Sequence, residues 1–248
     1  MGFCNNEFIL ISVSYSYYEV YTNTQRAFSG LGFTYGSDED AAFITTWLEI
    51  FGLDGIKLLK LKIEELDNTF NASIDPSKIN DEFDCKNKSF LVIGPGLIDY
   101  LISKIDKRDN FKLTLKNCSD PIFLIPLLYK YAKKNIYSQF LLDQKIDVQI
   151  TNENIRVNRK IISKNYQRNF DLLLTKKIFN EQKLDINISS SNINNLLSEG
   201  INPDKKSWDQ ISKIAFRTFV PESEESRAKG AGGGCLLYTS PSPRDATL

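Results

Sequence analysis

The sequence predicts an α/β protein in which a helical N-terminal layer packs on a mixed parallel and antiparallel sheet, followed by a C-terminal helix and arm. Two observations indicate this class. Apolar residues recur at helical spacing through residues 15–66. From residue 89 onward, short apolar runs alternate with helical patterns. We expect a single domain over residues 1–234, with its helical part at 15–66 and its sheet-containing part at 89–220.

Three helices are expected in the N-terminal part. Ser16 and Glu19 have the spacing of a capping box at the start of the first helix. Ser37 is a natural N-cap for the second helix, whose acidic first turn, residues 38–40, suits the positive end of the helix dipole. A third helix is predicted from roughly Ile56 to Leu66.

The next part of the chain shows loop and strand patterns. Residues 67–88 are polar and are interpreted as a surface loop. Phe90–Ile93 is apolar and is predicted to be a buried strand, followed by a turn at 94–96 and a helix at 97–105. The Gly-Pro-Gly turn could hold a phosphate on its backbone amides, but it matches no phosphate-binding motif, so we favour a plain turn.

Further elements follow from the same patterns. A buried helix is expected over Pro121–Lys134, capped by Asp120 and kinked by Pro126. A short helix is predicted at Ser190–Ser198 and a last one after Asn202. The predicted strands are Phe111–Leu115, Tyr137–Leu142, Asp147–Ile150, Ile155–Val157, Phe170–Leu174 and Leu184–Ile188.

Composition limits the function. The 248-residue chain carries 31 basic and 31 acidic residues and no histidine. A net charge of zero gives no overall attraction to nucleic acid or to an anionic membrane, so we expect neither as a partner. The lack of histidine excludes Ser-His-Asp and Cys-His pairs, H-E-x-x-H zinc sites and imidazole bases from this segment. We expect no metal and no cofactor.

The cysteines indicate a compartment. Cys4, Cys85 and Cys118 are scattered, and none belongs to a C-x-x-C pair. Such a set favours a reducing environment over a disulfide framework. The start of the chain shows no targeting pattern, so we expect a cytoplasmic protein.

The last residues have an unusual composition. Residues 235–245 read CLLYTSPSPRD, which resembles the translation of a sequencing adapter. We therefore expect residues 235–248 to be non-native and the natural chain to continue differently after Gly234.

Two motifs together resemble a known family. The first is RAFSGLGFTYGSDEDA at residues 26–41, which continues to Trp47-Leu48 and to GLDG at 52–55. The second is RTFVPESEESRAKGAGGG at residues 217–234, and SDPIFLIPLL at 119–128 lies between them. They resemble a bacterial family known as domain of unknown function 3726, whose name implies no activity.

The same two motifs supply the candidate binding residues. Arginine binds a carboxylate or phosphate, glycines let the backbone approach a ligand, and carboxylates act as acids or bases. Alternatively, the arm docks onto the helical hairpin, with Arg217 or Arg227 paired to residues 38–40. The candidates are Arg26, Gly30, Gly32, Asp38, Asp40, Arg217, Glu224, Arg227 and Gly230.

Two functions remain open from the sequence. We favour a cytoplasmic binding or accessory protein with no chemistry of its own. The alternative is a histidine-free enzyme or small-anion-binding protein whose site lies between the Arg26–Asp40 loop and the Arg217–Gly234 arm. The partner is then a small anionic ligand or another protein.

A dehydrogenase is a less favoured alternative. The order of a helix, a G-x-G pattern, an acidic helix and Gly52-Leu-Asp-Gly55 is similar to the N-terminus of malate/lactate/sulfolactate-type dehydrogenases. That resemblance implies a histidine in a Ser-His-Gly segment after the second helix. Gly52-Leu-Asp-Gly55 stands in that region and contains none.

Overall fold

A computed structural model describes residues 14–105, 108–162 and 169–219. These residues form seven α-helices and one seven-stranded sheet. The helices are α1 Tyr17–Gly30, α2 Ser37–Ile50, α3 Gly55–Leu66, α4 Phe90–Ile105, α5 Leu124–Ala132, α6 Ser190–Glu199 and α7 Lys205–Ala215. The strands are β1 Glu82–Asp84, β2 Asn110–Lys116, β3 Tyr137–Leu142, β4 Lys145–Ile150, β5 Asn154–Val157, β6 Phe170–Thr175 and β7 Ile186–Ser189. Short 3₁₀ turns lie at Pro76–Lys78, Pro121–Phe123, Arg159–Ile162 and Phe216–Thr218.

The sheet is mixed, as the sequence predicts. Its strand order is β1-β2-β6-β3-β4-β5-β7. β1 and β2 run parallel, and the other described neighbours run antiparallel. α4 connects the two parallel strands, so β1, α4 and β2 make a β-α-β unit.

The apolar face of the sheet forms the centre of the core. Leu113, Leu172, Phe140 and Val148 stand opposite one another on four neighbouring strands, and all four are fully buried. α4 packs on β2, while α5 packs on β3 and β4. This face therefore buries most of the apolar surface that drives folding.

A second helical layer lies outside the first. α2 contacts both α4 and α5, and α1 and α3 pack beside α2. α7 contacts α1 and α3. Trp47 of α2 joins the layers, since its ring lies 6.3 Å from that of Tyr17 and 6.1 Å from that of Tyr129 on α5. The predicted helical layer is therefore confirmed.

The first two helices, α1 and α2, have different kinds of N-cap. The Ser16–Glu19 capping box is confirmed, because the Glu19 amide donates to Ser16 Oγ at 3.2 Å and the Ser16 amide donates to Glu19 Oε2 at 2.8 Å. The prediction that Ser37 caps α2 is wrong. Gly36 is the N-cap, with a φ of 84° that glycine adopts without strain.

The strand predicted at Phe90–Ile93 is wrong, and so is the turn at Gly94-Pro-Gly96. All of these residues belong to α4. A short apolar run does not distinguish a buried strand from a buried helix. The glycine at 94 also serves packing, since a Cβ there would lie 3.2 Å from Leu127 Cδ1 on α5. With no turn at this position, the phosphate cradle does not exist.

One strand lies in a segment predicted to be a loop. β1 is only three residues long, and its alternating exposure gives no apolar run. Its pairing with β2 is what places residues 82–84 in the sheet. The other predicted strands are confirmed to within two residues at each end.

The predicted capping of the helix by Asp120 is also wrong, while the kink at Pro126 stays a prediction. The Pro121–Phe123 3₁₀ turn precedes α5, and Asp120 makes no side-chain cap there. Pro126 is the third residue of α5, where a backbone N–H has no intrahelical partner. A proline at that position therefore requires no kink. In the ranges that the structure covers, no helix is both long and apolar enough to cross a bilayer.

We expect Gly55→Ala to lower the free energy of unfolding by about 1–3 kcal/mol. A Cβ at this position would lie 2.1 Å from the Thr45 carbonyl oxygen and 2.9 Å from Leu48 Cβ, so α3 would have to move away from α2. Urea unfolding followed by circular dichroism measures the change.

Gly96→Ala is the matched control. Gly96 is exposed in α4, and a Cβ there would meet Ile74 Cδ1 at an ordinary 3.6 Å. Alanine favours a helix over glycine, so we expect stabilisation by up to about 1 kcal/mol. A loss of stability in Gly96→Ala would contradict the continuous α4 helix.

Candidate functional site

The predicted site residues come together mainly where α7 meets α1. We call this region the α1–α7 junction, formed by Arg26, Gly30, Asp67, Arg217 and Phe219. α7 and the Phe216–Thr218 turn both pack on α1. Gly30 permits this approach, because a Cβ there would lie 2.4 Å from the Ile214 carbonyl oxygen. The C-terminal helix and the turn after it thus pack on the helical hairpin, whereas the arm predicted to dock there lies beyond residue 219, outside the described residues.

Arg217 links the turn after α7 to the ends of α1 and α3. Its Nη1 donates to Asp67 Oδ1 at 2.8 Å and to the Gly30 carbonyl at 3.4 Å. For Arg217, the expected pairing with residues 38–40 is wrong. Asp67 follows α3 directly, so it is the carboxylate that the end of α7 meets. The guanidinium is thus used in a contact between helices.

The other junction residues are also engaged. The Arg26 guanidinium lies 5.1 Å from the centre of the Phe219 ring, a cation–π contact. Gly32 has a φ of 88° and packs against Asn68, whose amide donates to the Leu31 carbonyl at 2.9 Å. These contacts hold the turn after α1 against the end of α3.

Asp38 serves the turn that contains it. Its carboxylate is buried and accepts hydrogen bonds from Ser29 Oγ at 2.7 Å, the Gly36 amide at 3.0 Å and the Glu39 amide at 2.9 Å. Three donors satisfy a carboxylate in this setting, and two of them belong to the entry into α2. Asp38 therefore stabilises the start of α2.

Asp40 lies in a different environment from the junction. Burial raises the pKa of Asp40, and Lys130 of α5 opposes that rise. Asp99 on α4 accepts a 2.6 Å hydrogen bond from Tyr131 Oη. Burial and this bond raise the pKa of Tyr131 to about 12. Asp40 thus faces a polar group on α4 and α5.

Three predicted site residues, Glu224, Arg227 and Gly230, lie outside the described residues. A larger and a smaller cleft in the described part of the chain are lined by none of the predicted site residues. Among the described residues, no group of three or more His, Cys, Asp or Glu side chains is arranged to hold a metal ion.

The larger cleft lies beside β1, and we call it the β1 cleft. Its volume is about 710 Å³. It runs along the whole of β1, from Glu82 to Asp84, and touches β2 at Lys116, the last residue of that strand. The lining residues are Asn71, Ser73, Ile74, Asp75, Lys78, Asn80, Glu82, Phe83, Asp84, Cys85, Lys86, Lys88, Ile93 and Lys116.

The walls of the β1 cleft are held by polar contacts. Lys88 Nζ donates to the carbonyl oxygens of Asn71 and Ser73 at 3.1 and 3.3 Å, which ties the 71–73 segment to the turn after β1. Lys116 pairs with Glu82, and Lys78 pairs with Asp75. The turn itself is tight, since Lys86 and Asn87 have φ angles of 52° and 58°. Such backbone conformations carry a cost for residues other than glycine.

The smaller cleft has a volume of about 390 Å³. Its lining includes Ile102, Tyr131, Lys134 and Ile136. It lies between the end of α5 and the end of α4, so it is separate from the β1 cleft.

A buried carboxylate supports the floor of the β1 cleft. Asp120 Oδ1 accepts from the Phe90 amide at 2.7 Å, and Oδ2 accepts from Ser89 Oγ at 2.7 Å. Lys62 of α3 lies 3.3 Å from Oδ2 and also donates to Ser119 Oγ at 2.6 Å. Asp120 therefore caps α4 from a distance of about 30 residues along the chain.

The charges of this pair influence each other. Burial raises the pKa of Asp120, against the opposing effects of Lys62 and the two hydrogen bonds. Burial lowers the pKa of Lys62, but Asp120 and Glu65 outweigh it, so the pKa of Lys62 is raised overall. The Lys62 ammonium and the carboxylates of Asp120 and Glu65 thus stabilise one another's charged forms, and they link α3 to the start of α4.

Two thiols lie next to this carboxylate. Cys85 and Cys118 are both free and buried, and their Sγ atoms are 3.6 Å apart. The hydrogen bond with Cys85, burial and the nearby Asp120 and Asp84 all raise the pKa of the Cys118 thiol. The sequence spacing of 33 residues gives no sign of this contact.

The β1 cleft was missed by the sequence analysis. Its walls come from residues 71–88, which contain charged and amide side chains at no regular period. A short polar strand such as β1 becomes recognisable only through its pairing with β2. The available signal was the lysine-rich and carboxylate-rich composition of that segment.

A family model matches the N-terminal part of the chain. Residues 15–87 match a family described as protein of unknown function (DUF3726). The match confirms the resemblance over the motif at 26–41 and the GLDG segment. It also extends through most of the β1 cleft wall. No curated protein matches the chain.

Solved structures share the fold. The chain is similar to a dehydrogenase from Sinorhizobium meliloti, with a TM-score of 0.56 and 10% identity over 82% of this chain and 99% of that chain. It is also similar to malate dehydrogenases from Entamoeba histolytica and Pyrococcus horikoshii OT3, each with a TM-score of 0.53. Their identities are 8% and 10%, over 85% of this chain and 99% and 97% of theirs. The likeness shows the fold alone.

We expect Arg217→Ala to destabilise the protein by about 0.5–1 kcal/mol, because the ion pair with Asp67 is partly exposed. The double variant with Asp67→Ala should lose less than the sum of the single losses. Urea unfolding of the four proteins measures this coupling.

Lys213→Ala is the control for that cycle, because Lys213 is exposed on α7 and has no described contact with Asp67. Its coupling to Asp67→Ala should be near zero. Equal coupling of Lys213 and Arg217 to Asp67 would show that the Arg217–Asp67 ion pair has no specific effect on stability.

Asp120→Ala should cost about 2–4 kcal/mol, because it leaves Lys62 and the Phe90 amide without their buried acceptor. Chemical unfolding measures the loss. Asp109→Ala removes an ion pair whose side chains are 77% and 70% exposed, and it should change stability by less than about 0.5 kcal/mol. Equal losses in the two variants would contradict the capping role of Asp120.

Proposed function

We propose that the protein is a cytoplasmic bacterial binding protein without chemistry of its own, and that it holds a small organic anion in the β1 cleft. The observation that carries this proposal is the position of the cleft. It lies along β1 and includes the carboxyl ends of the parallel pair, at Asp84 of β1 and Lys116 of β2. In α/β sheets, ligands commonly bind outside the carboxyl ends of parallel strands.

The size and lining of the cleft support a small ligand. Its volume of about 710 Å³ falls within the range of typical small-molecule sites. Ile74, Phe83 and Ile93 supply apolar surface. Four lysines and three carboxylates surround it, so the balance of charge favours an anion.

The lysines of the cleft differ in how firmly their ammonium groups are already bound to other groups of the protein. Lys88 holds carbonyl oxygens, and Lys116 is paired with Glu82. Lys78 makes a 3.4 Å contact with Asp75, and both side chains are more than half exposed. Exposed pairs of this kind exchange readily for a ligand anion, since they are weak. We therefore assign ligand contact to Lys78 and Lys86.

The α1–α7 junction has the features of a structural contact. Arg217 and Arg26 are engaged by Asp67 and Phe219, and Asp38 is satisfied by its own turn. Charges that are already paired gain less from a ligand. We propose that this region holds the C-terminal helix in place, and that Arg26, Asp38 and Arg217 serve that contact and not an anion.

A dehydrogenase function gains no support from the residues. Gly55 lies in the segment where that resemblance implies a histidine. A Cβ added there would lie only 2.1 Å from the Thr45 carbonyl oxygen, so no side chain fits at this position. Glu49 of α2 accepts a 2.8 Å hydrogen bond from the Ile56 amide. The segment is therefore committed to joining α2 and α3, and the chain contains no histidine.

The thiols support a reducing compartment. Cys85 and Cys118 are free although their sulfurs are in contact. Disulfides persist in oxidising compartments and are rare in the cytosol. We therefore propose that the two residues are thiols in a reducing, cytoplasmic compartment.

The proposal predicts ligand-induced stabilisation that depends on Lys78 and Lys86. A panel of di- and tricarboxylates and inorganic phosphate should contain an anion that raises Tm by roughly 5–10 °C when it is present at about 100 times its Kd. Differential scanning fluorimetry detects the shift. Lys78→Glu with Lys86→Glu should abolish it, because the cleft then repels anions.

Matched variants identify the site. Lys213→Glu changes the same charge on an exposed face of α7 and should keep the shift. Arg217→Ala should also keep it. A shift that is lost in Arg217→Ala but kept in the cleft variants would place the anion at the α1–α7 junction, and a full panel without any shift would remove the anion proposal.

A further inference from the structure

The two buried thiols have a geometry that suits a covalent bond. Cys85 directly follows β1, and Cys118 lies two residues beyond the end of β2. The Cys85 amide donates to the Lys116 carbonyl at 2.9 Å, and the Asn87 amide donates to the Asn117 carbonyl at 2.8 Å. The parallel ladder therefore continues past the strands and fixes the two cysteines side by side.

We propose that Cys85 and Cys118 are a reversible disulfide pair that closes when the protein meets a peroxide. Their sulfurs are 3.6 Å apart, and a disulfide bond needs about 2.05 Å. Side-chain rotation covers the remaining distance of about 1.5 Å, so the ladder that positions the two residues stays in place.

The position of Cys85 determines the order of the reaction. Cys85 lines the β1 cleft, whereas Cys118 does not. Peroxide therefore reaches the Cys85 sulfur first. That sulfur, as its thiolate, attacks one peroxide oxygen and the O–O bond breaks, which leaves a sulfenic acid and a hydroxide; the proton lost by the thiol converts the hydroxide to water. The Cys118 sulfur then attacks the sulfenic sulfur and releases the second water. Two thiols and one hydrogen peroxide thus give one disulfide and two waters.

Burial makes this pair slow and selective. Each cysteine is only 1% exposed. The first step therefore waits for a local opening of the turn at residues 84–88, and an exposed thiol would react sooner. The carboxylates of Asp120 and Asp84 also disfavour a thiolate at Cys118, so Cys118 is the poorer nucleophile for the first attack on peroxide.

The bond would change the chain beside the cleft. Residues 86–117 contain α4 and β2, and the disulfide would close them into one loop. The turn after β1, which forms a wall of the β1 cleft, would then be tied covalently to the end of β2. A two-thiol site for a soft metal ion is less favoured, since no third ligand from His, Cys, Asp or Glu is arranged there among the described residues.

Peptide mapping of the full chain tests the proposal. The folded protein is treated with hydrogen peroxide, alkylated, and digested with trypsin without reduction. Residues 79–86 contain Cys85 and residues 117–130 contain Cys118, so the disulfide appears as a cross-link between these two peptides. Dithiothreitol should release them. The oxidised protein should melt roughly 5–10 °C higher than the reduced one.

Three variants control the experiment. Cys85→Ser and Cys118→Ser should each lose the cross-link and the Tm increase. A circular dichroism spectrum of each variant checks that it is folded. Cys4→Ser, which changes a cysteine outside the pair, should keep both effects. Peptides 79–86 and 117–130 recovered unlinked from the folded wild-type protein, or Cys85 recovered as its sulfinic acid, would overturn the proposal.

Discussion

The carboxylate of Asp120 joins the parts of this fold that are far apart in sequence. It accepts hydrogen bonds from the first residues of α4, faces Lys62 of α3, and immediately precedes the turn that leads into α5. Because it fixes the residue at which α4 begins, it also limits the length of the turn between β1 and α4. The thiol pair and the β1 cleft lie around that turn. The geometry of the cleft therefore depends on one buried charge.

The sequence predicts best those elements whose causes are local. The Ser16–Glu19 box starts α1, alternation of apolar residues marks β2, and short apolar stretches mark β3 and β6. It fails where the cause lies elsewhere in the chain. Phe90–Ile93 is apolar enough for a strand, and the acceptor that makes it a helix start belongs to Asp120. β1 has no periodic signal of its own, because its partner strand supplies the reason for its conformation.

The candidate site shows the same limit. The motifs at residues 26–41 and 217–234 correctly indicate that two distant segments meet, and Arg26, Gly30, Gly32 and Arg217 do lie together. The density of charge and glycine in a motif does not reveal whether its charges face a ligand or one another. Here Asp67, which belongs to neither motif, is the partner of Arg217. The β1 cleft escaped prediction because its lining residues carry no motif.

Gly55 fixes the junction between α2 and α3. At this residue the backbones of the two helices come so close that only glycine fits. Position 55 therefore serves helix packing. The β-α-β unit, by contrast, keeps an open edge at the ends of β1 and β2, where lysines and a thiol are available. A ligand and an oxidant would then act on the same turn, since the wall of the cleft and the first thiol belong to residues 84–88. Binding and oxidation at this edge would therefore influence each other, because each restricts the same few backbone residues.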